Sequence, residues 1–127
     1  MNLQLIHTKV LELTFENLEQ ENADDKKVFN LDYHNQFDKE EKNLFHVIFD
    51  ILVIHSNEFR LKCKYAACFK TSTAIDEGFK NSDFPIINAP AIAFPFLRSF
   101  ISNITLNSGY NPAILPSINF INHKNQY

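Results

Sequence analysis

Four successive segments in the first half of the chain alternate apolar and polar residues with a period of two. Such a pattern restricts the fold to an antiparallel sheet with one face in water. Residues 29–37 are the cleanest case, with Phe29, Leu31, Tyr33 and Phe37 against Asn30, Asp32, His34 and Gln36. Residues 58–69 repeat it: Phe59, Leu61, Cys63, Tyr65, Ala67 and Phe69 oppose Glu58, Arg60, Lys62 and Lys64. Between them, residues 44–55 carry Phe45, Val47, Phe49, Ile51 and Val53 on one side and Leu44, Ile48, Leu52 and Ile54 on the other, as a central strand does. Residues 3–16 place Leu3, Leu5, Leu11, Leu13 and Phe15 on one face, but His7 and Lys9 break it, and Ile6 and Val10 stand on the polar side. His55-Ser56-Asn57 reads as a short hairpin connection. The charged stretches 17–27 and 38–43 read as solvated loops.

The second half changes period. Ala93, Phe94, Leu97, Phe100, Ile101 and Ile104 follow helical spacing, predicting a helix from about 91 to 107 with Leu97, Ile101 and Ile104 on its core or oligomer face. Pro95 fits only in the first turn of that helix, since deeper it costs about 3 kcal/mol. Gly109 is placed to take a left-handed cap. A short helix at 73–80 and a short helix or frayed tail from Ile118 to Tyr127 complete the expectation. The predicted class is α+β in a single domain over residues 1–127: a four-stranded antiparallel sheet covered by one long C-terminal helix and a short terminal helix.

Charge and composition narrow the function. Fourteen of the fifteen acids and ten of the twelve Lys/Arg lie in residues 1–80, leaving a nearly neutral, apolar C-terminal third. That third suits an interface or a binding surface. A net charge of −3 without a strongly basic run argues against nucleic acid as a partner. The N-terminus lacks a basic region followed by an apolar run, and nothing approaches the ~18 uninterrupted apolar residues of a membrane span. Cys63 and Cys68, if in one strand, point to opposite faces roughly 16 Å apart and cannot form a disulfide. Two free cysteines suit a reducing cytoplasm.

Convergent catalytic groups are missing from the sequence. His7, His34, His46, His55 and His123 are scattered without HxxxH or HExxH spacing, and two glycines thirty-one residues apart cannot cradle a phosphate. No enzyme, metal or cofactor is expected. What remains is apolar surface. Phe69, Phe79, Phe84, Phe94, Phe96 and Phe100 surround the passage from sheet to helix. A sheet with one covering helix cannot hide all of them, so the surplus oligomerises or meets a ligand.

Residues 94–120 resemble the end of the SecB family, tetrameric bacterial chaperones that hold unfolded chains. That family has a Phe-Pro-aromatic helix start with an Arg, a Gly-aromatic-Pro turn and a Pro-x-Asn-Phe segment. Phe94-Pro95-Phe96, Arg98, Gly109-Tyr110-Asn111-Pro112 and Pro116-Ser117-Ile118-Asn119-Phe120 fill those places. Gln4-Leu5-Ile6-His7-Thr8-Lys9 is similar to the family's first strand, and Tyr65-Ala66-Ala67-Cys68-Phe69 to its small-residue pair before a hydrophobic-Phe step. The resemblance implies a dimer-of-dimers homotetramer that needs no ATP. Unfolded preproteins or one dedicated client would lie in aromatic grooves, for which Phe69, Phe79, Phe84, Phe94, Phe96, Phe100 and Phe120 are the candidates.

Two departures bear on partners. Proteobacterial SecB proteins offer an acidic sheet surface and a C-terminal tail to the translocation motor SecA. Arg60, Lys62 and Lys64 are opposite in sign, and the chain ends at Ile121–Tyr127 without acidic residues. Both argue against SecA docking in that mode, while holding of clients is untouched. Two other readings stay open: a dedicated chaperone in a toxin–antitoxin system, which SecB-like proteins also serve, and a domain whose Phe-rich cavity takes a small apolar ligand.

Overall fold

The period-two segments become strands β1 (Leu3–Asn17), β2 (Lys27–Phe37), β3 (Leu44–His55) and β4 (Phe59–Thr71) in a computed structural model that describes residues 2–19 and 26–124. They form one antiparallel sheet in the order β1-β4-β3-β2. β3 is central, as its two apolar sides require. The expected loop at 17–27 lies largely outside the described residues. The β3–β4 hairpin turns through Asn57 at φ 65°, a conformation Asn tolerates better than most residues.

The break in the β1 pattern has a physical cause. The register against β4 slips between Leu5 and His7 and again between Val10 and Glu12. Each slip is a bulge that admits one extra residue, so the side-chain parity flips and then flips back. Thr8 and Val10 therefore join the inner face between the bulges, beside Ala67 and Tyr65, and Leu13 and Phe15 join it after them. Ile6 and Leu11, the residues spliced in, are exposed.

The inner face carries the core. Phe45, Val47, Phe49, Ile51 and Val53 of β3 and Phe59, Leu61, Cys63, Tyr65, Ala67 and Phe69 of β4 are all buried. Their cover is α2 (Ala89–Asn107), which buries Ala93, Phe94, Leu97, Ile101 and Thr105. Before it come α1 (Glu77–Lys80), capped by Asp76 accepting from the Phe79 N–H at 2.7 Å, and a π-helical turn, Phe84–Asn88. A short α3 (Phe120–Lys124) follows the loop after Gly109, whose φ of 96° caps α2 as expected. The run Phe84–Asn107 is long and apolar enough, by length and composition alone, to cross a membrane. One of its faces is packed on the sheet.

Two expectations about this helix are corrected. It starts earlier than residue 91, and Pro95 lies inside it, not in its first turn. Proline's φ near −65° is helical, so the cost is the lost N–H and the crowding of the carbonyl four residues earlier. That carbonyl belongs to Ala91, which is exposed, so solvent can take the missing donor's place. Pro90 raises the same difficulty on a buried side, and there the protein supplies the donors. Asn35 Nδ2 donates to the Pro85 carbonyl at 2.8 Å, and the Tyr33 hydroxyl donates to the Ile86 carbonyl at 3.1 Å. Thus β2 satisfies backbone groups that a proline-containing helix cannot satisfy alone.

The end of α2 is also held from within. Thr105 is fully buried, and its Oγ1 accepts from the Ala113 N–H at 2.8 Å while lying 2.8 Å from the Ile101 carbonyl. This bond pulls the loop back against the helix, so Ala113 and Leu115 are buried. Three stability effects are expected in urea unfolding. Leu97→Ala should cost about 3 kcal/mol, as a fully buried leucine leaving a cavity. Thr105→Val, isosteric but unable to accept, should cost roughly 1–3 kcal/mol by stranding the Ala113 N–H. Tyr33→Phe should cost about 1 kcal/mol through the Ile86 carbonyl.

Candidate functional site

The seven candidate phenylalanines separate into three groups. Phe69, Phe79, Phe94 and Phe120 are buried in the core, whereas Phe84 and Phe100 are half-buried. Phe96 alone among them is exposed, at 50%. Phe69 stacks on Phe45 at 5.4 Å, Phe79 meets Phe45 and Phe84, and Phe100 stacks on Tyr65 at 5.7 Å. As folded here, four of the seven are core contacts and three reach the surface. Leu97 and Ile101 are fully buried and Ile104 is half-buried, which places all three against the sheet.

The sheet and α2 build an aromatic box that joins two of these candidates to two residues outside the set. Phe120 sits 5.4 Å from Tyr33 and 5.7 Å from Phe94, both edge-on. Phe49 closes the ring at 6.2 Å from Tyr33 and 6.3 Å from Phe94. Edge-to-face pairs at such distances are favourable beyond the area they bury. Burial pushes the Tyr33 hydroxyl above its ordinary pKa, so it acts as a donor toward Ile86. Next along β2, Asn35 keeps its Oδ1 buried without a hydrogen-bond partner.

Other apolar groups face outward. Ile92, Phe96 and Leu106 are exposed on α2, and Ile6, Leu11 and Leu13 on β1. Between the start of α2 and the start of β1 lies an open groove of about 530 Å³ lined by Asn2, Leu3, Phe84, Asn88, Ala91 and Ile92. Ile114 stands 80% exposed between buried Ala113 and Leu115, a knob on a well-anchored loop.

The outward face of the sheet is polar and mixed in charge. Arg60, Lys62 and Lys64 share this side of β4, but each row brings acids or neutral groups beside them. Glu16 pairs with Arg60 in register and at 3.4 Å, and Glu12, Lys64, Asp50 and Asp32 line up across the four strands. The basic column therefore lies between acidic neighbours, which the strand sequence alone did not reveal. Two rows up, beyond Lys9, Ala66 and Ile48, His7, Cys68 and His46 align, with the two imidazoles 6.5 Å apart. Burial first, then the neighbouring His7, lowers the His46 pKa below its ordinary 6.5. Both thiols are free, buried and shifted up, Cys63 to about 11, chiefly by burial. Cys63 faces the core and Cys68 the outer side, as their odd spacing predicts. Among the described residues, no group of three His, Cys, Asp or Glu side chains is disposed to hold a metal ion.

Compared with known families, the sequence matches SecB, described as preprotein translocase subunit SecB, over residues 1–126. The chain belongs to the SecB family. It is 34% identical over 93 residues to an uncharacterised protein of Methanocaldococcus jannaschii, covering 71% of this chain and 60% of that protein. It is 31% identical over 87 residues to the protein-export protein SecB of Rickettsia massiliae, covering 63% of this chain and 54% of that one. The chain thus matches little more than half the length of these curated relatives. In fold it is similar to a Mycobacterium tuberculosis SecB-like chaperone solved in complex with a ChAD peptide from the HigA1 antitoxin. The TM-score is 0.71 at 12% identity, covering 91% of this chain and 89% of that one. A protein of unknown function from Streptococcus agalactiae shares the fold at TM-score 0.58 and 13% identity, covering 92% of this chain and 98% of that one. The SecB fold, with its four-stranded antiparallel sheet, long helix and short terminal helix, is as expected from the sequence.

Tyr33, Phe49 and Asn35 were not among the sequence candidates. Tyr33 and Phe49 were each visible as inward strand residues, but their meeting depends on the β2–β3 register, which no local pattern encodes. The lowered His46 pKa has a consequence with a definite sign. The unfolded chain takes up this proton at higher pH than the folded one, so the stability linked to His46 is present above pH 6.5 and is lost as pH falls through the lower folded value. His46→Gln should therefore flatten the fall in thermal midpoint on the acid side of pH 6.5, in melts recorded from pH 7.5 to 5. The same slope in both proteins would show that His46 is not the group responsible.

Proposed function

We propose that this SecB-family protein is an ATP-independent holdase that binds unfolded polypeptides, export-bound chains among them, in grooves floored by aromatic side chains. The observation that carries the reading is the family match across residues 1–126. Exposed apolar groups at Ile92, Phe96 and Leu106 on α2, and at Ile6, Leu11 and Leu13 on β1, support it, since surfaces of this kind mark association sites. They serve two needs: assembly into a homotetramer built as a dimer of dimers, and contact with client. Phe84, Phe96 and Phe100 offer the accessible aromatic surface, with Phe69, Phe79, Phe94 and Phe120 beneath as its floor. Binding by burial of apolar area, at roughly 25 cal/mol per Å², tolerates many sequences and needs no nucleotide.

The sheet face bearing Arg60, Lys62 and Lys64 is interleaved with Glu12, Glu16, Asp32 and Asp50, so it is not the uniformly acidic surface used for SecA. Coupling to SecA, if any, goes through a different surface. Two free cysteines suit work in the cytoplasm. A second reading is favoured by one observation. The fold neighbour at TM-score 0.71 is a SecB-like chaperone bound to an antitoxin peptide, which fits a dedicated antitoxin chaperone.

Native mass spectrometry with and without a reduced, unfolded model protein tests the main reading. A tetramer that retains the client without ATP is the expected outcome. A monomer or dimer indifferent to unfolded protein would refute it. A tetramer that ignores the model protein but holds an antitoxin segment would select the second reading.

A further inference from the structure

Near the start of β1 the outer sheet face carries a cluster that the proposed function does not use. His7 of β1 and His46 of β3 flank Cys68 of β4, with their ring centroids 6.5 Å apart. Cys68 is 4% exposed although it faces outward, whereas His7 is exposed and His46 half-buried, so the two imidazoles roof the thiol. We infer that this histidine pair is a proton-operated latch on β1. With the rings neutral, residues 3–7 stay on β4; with both protonated, that segment opens locally. The latch stands apart from the holdase reading, since it concerns how β1 is held and not what the protein binds.

Charge and backbone both favour opening at this point. The adjoining outer-face rows are basic or neutral: Gln4, Lys70 and Leu44 on one side, and Lys9, Ala66, Ile48 and His34 on the other. Gln36 of β2 and Asp38 and Lys39 of the next loop border His46 as well. Asp38 favours a charged His46, but its Oδ1 already accepts from the Glu40 and Glu41 N–H groups at 2.9 Å each. Burial and the neighbouring His7 outweigh it, so His46 takes up a proton more readily once the segment has opened. The bulge between Leu5 and His7 leaves Ile6 out of register and exposed. Leu3, Gln4 and Leu5 thus form a short ladder against Thr71, Lys70 and Phe69, separable from the rest of β1. Asn2 extends it, donating to Ser72 Oγ at 3.0 Å and accepting from the Ser72 N–H at 3.1 Å. Opening uncovers Leu3 and Leu5, which pack on the core, and removes Leu3 from the groove it lines with Phe84 and Ile92. Acid thereby adds apolar surface at one defined corner.

Cys68, under the latch, reports its state, and Cys63, in the core, reports global unfolding. The full-length protein is labelled with 4,4′-dithiodipyridine, which reacts with thiols in mild acid. Cleavage at Lys64 puts the two cysteines in different peptides for mass spectrometry. A synthetic peptide of residues 65–70 supplies the unprotected rate at each pH, by which the protein's rate is divided. Two unit charges at this separation shift an opening equilibrium about threefold in bulk water and up to about seventyfold at a protein surface. From pH 7.5 to 5.5 the normalised Cys68 rate should therefore rise roughly tenfold, with Cys63 unchanged. His7→Gln and His46→Gln should each remove most of that rise. The reading is a ratio between two pH values, so a constant change in cover over the thiol cancels. Should one variant lose its fold by circular dichroism, the other still decides. No rise in wild type, an equal rise in a folded variant, or a parallel rise at Cys63 would overturn the latch.

Discussion

A four-stranded sheet presents more apolar surface on its inner face than a single helix can cover. The rest of this protein follows from how that deficit is met. α2 lies over the middle of the sheet through Ala93, Phe94, Leu97 and Ile101. The strand farthest from β1 meets Phe120 through Tyr33 and the π-helical turn through Tyr33 and Asn35. At the opposite corner Tyr110 packs on Phe15 and Phe59. Leu13 on β1 and the Ile92–Phe96 side of α2 are still uncovered.

The strands were legible because each carries its own record of which side is wet. The helix was legible for the same reason, through Leu97 and Ile101. β1 shows where local reading stops. Its alternation failed at His7 and Lys9 because two bulges each inserted a residue, and a bulge is defined only by the pairing of the two strands. Pro95 shows a second limit. A proline's cost depends on whether the deprived carbonyl faces water, and that is known only once the helix is docked. The candidate site was legible as a collection of phenylalanines but not as a geometry. Phe69, Phe79, Phe94 and Phe120 look on paper like Phe96, and only tertiary packing separates the four buried rings from the exposed one.

The outer sheet face repeats that lesson with charge. Arg60, Lys62 and Lys64 form a basic column when β4 is read alone, yet every cross-strand row also contains acid or neutral groups. Partner selection by long-range electrostatics responds to the summed field, not to one strand. A face with both signs interleaved steers partners weakly and selects them by close fit.

The hydrogen bonds from β2 to the π-helical turn have one more effect. Tyr33 and Asn35 both face inward, and each donates to a specific backbone carbonyl, Ile86 and Pro85. A slip of β2 by one residue would swing both side chains to the outer face and strand both carbonyls at once. Edge strands are the members of a sheet most prone to sliding. A backbone defect created by Pro90 thus pins the alignment of a strand more than fifty residues earlier, making the helix's weakest turn the guardian of the sheet's register.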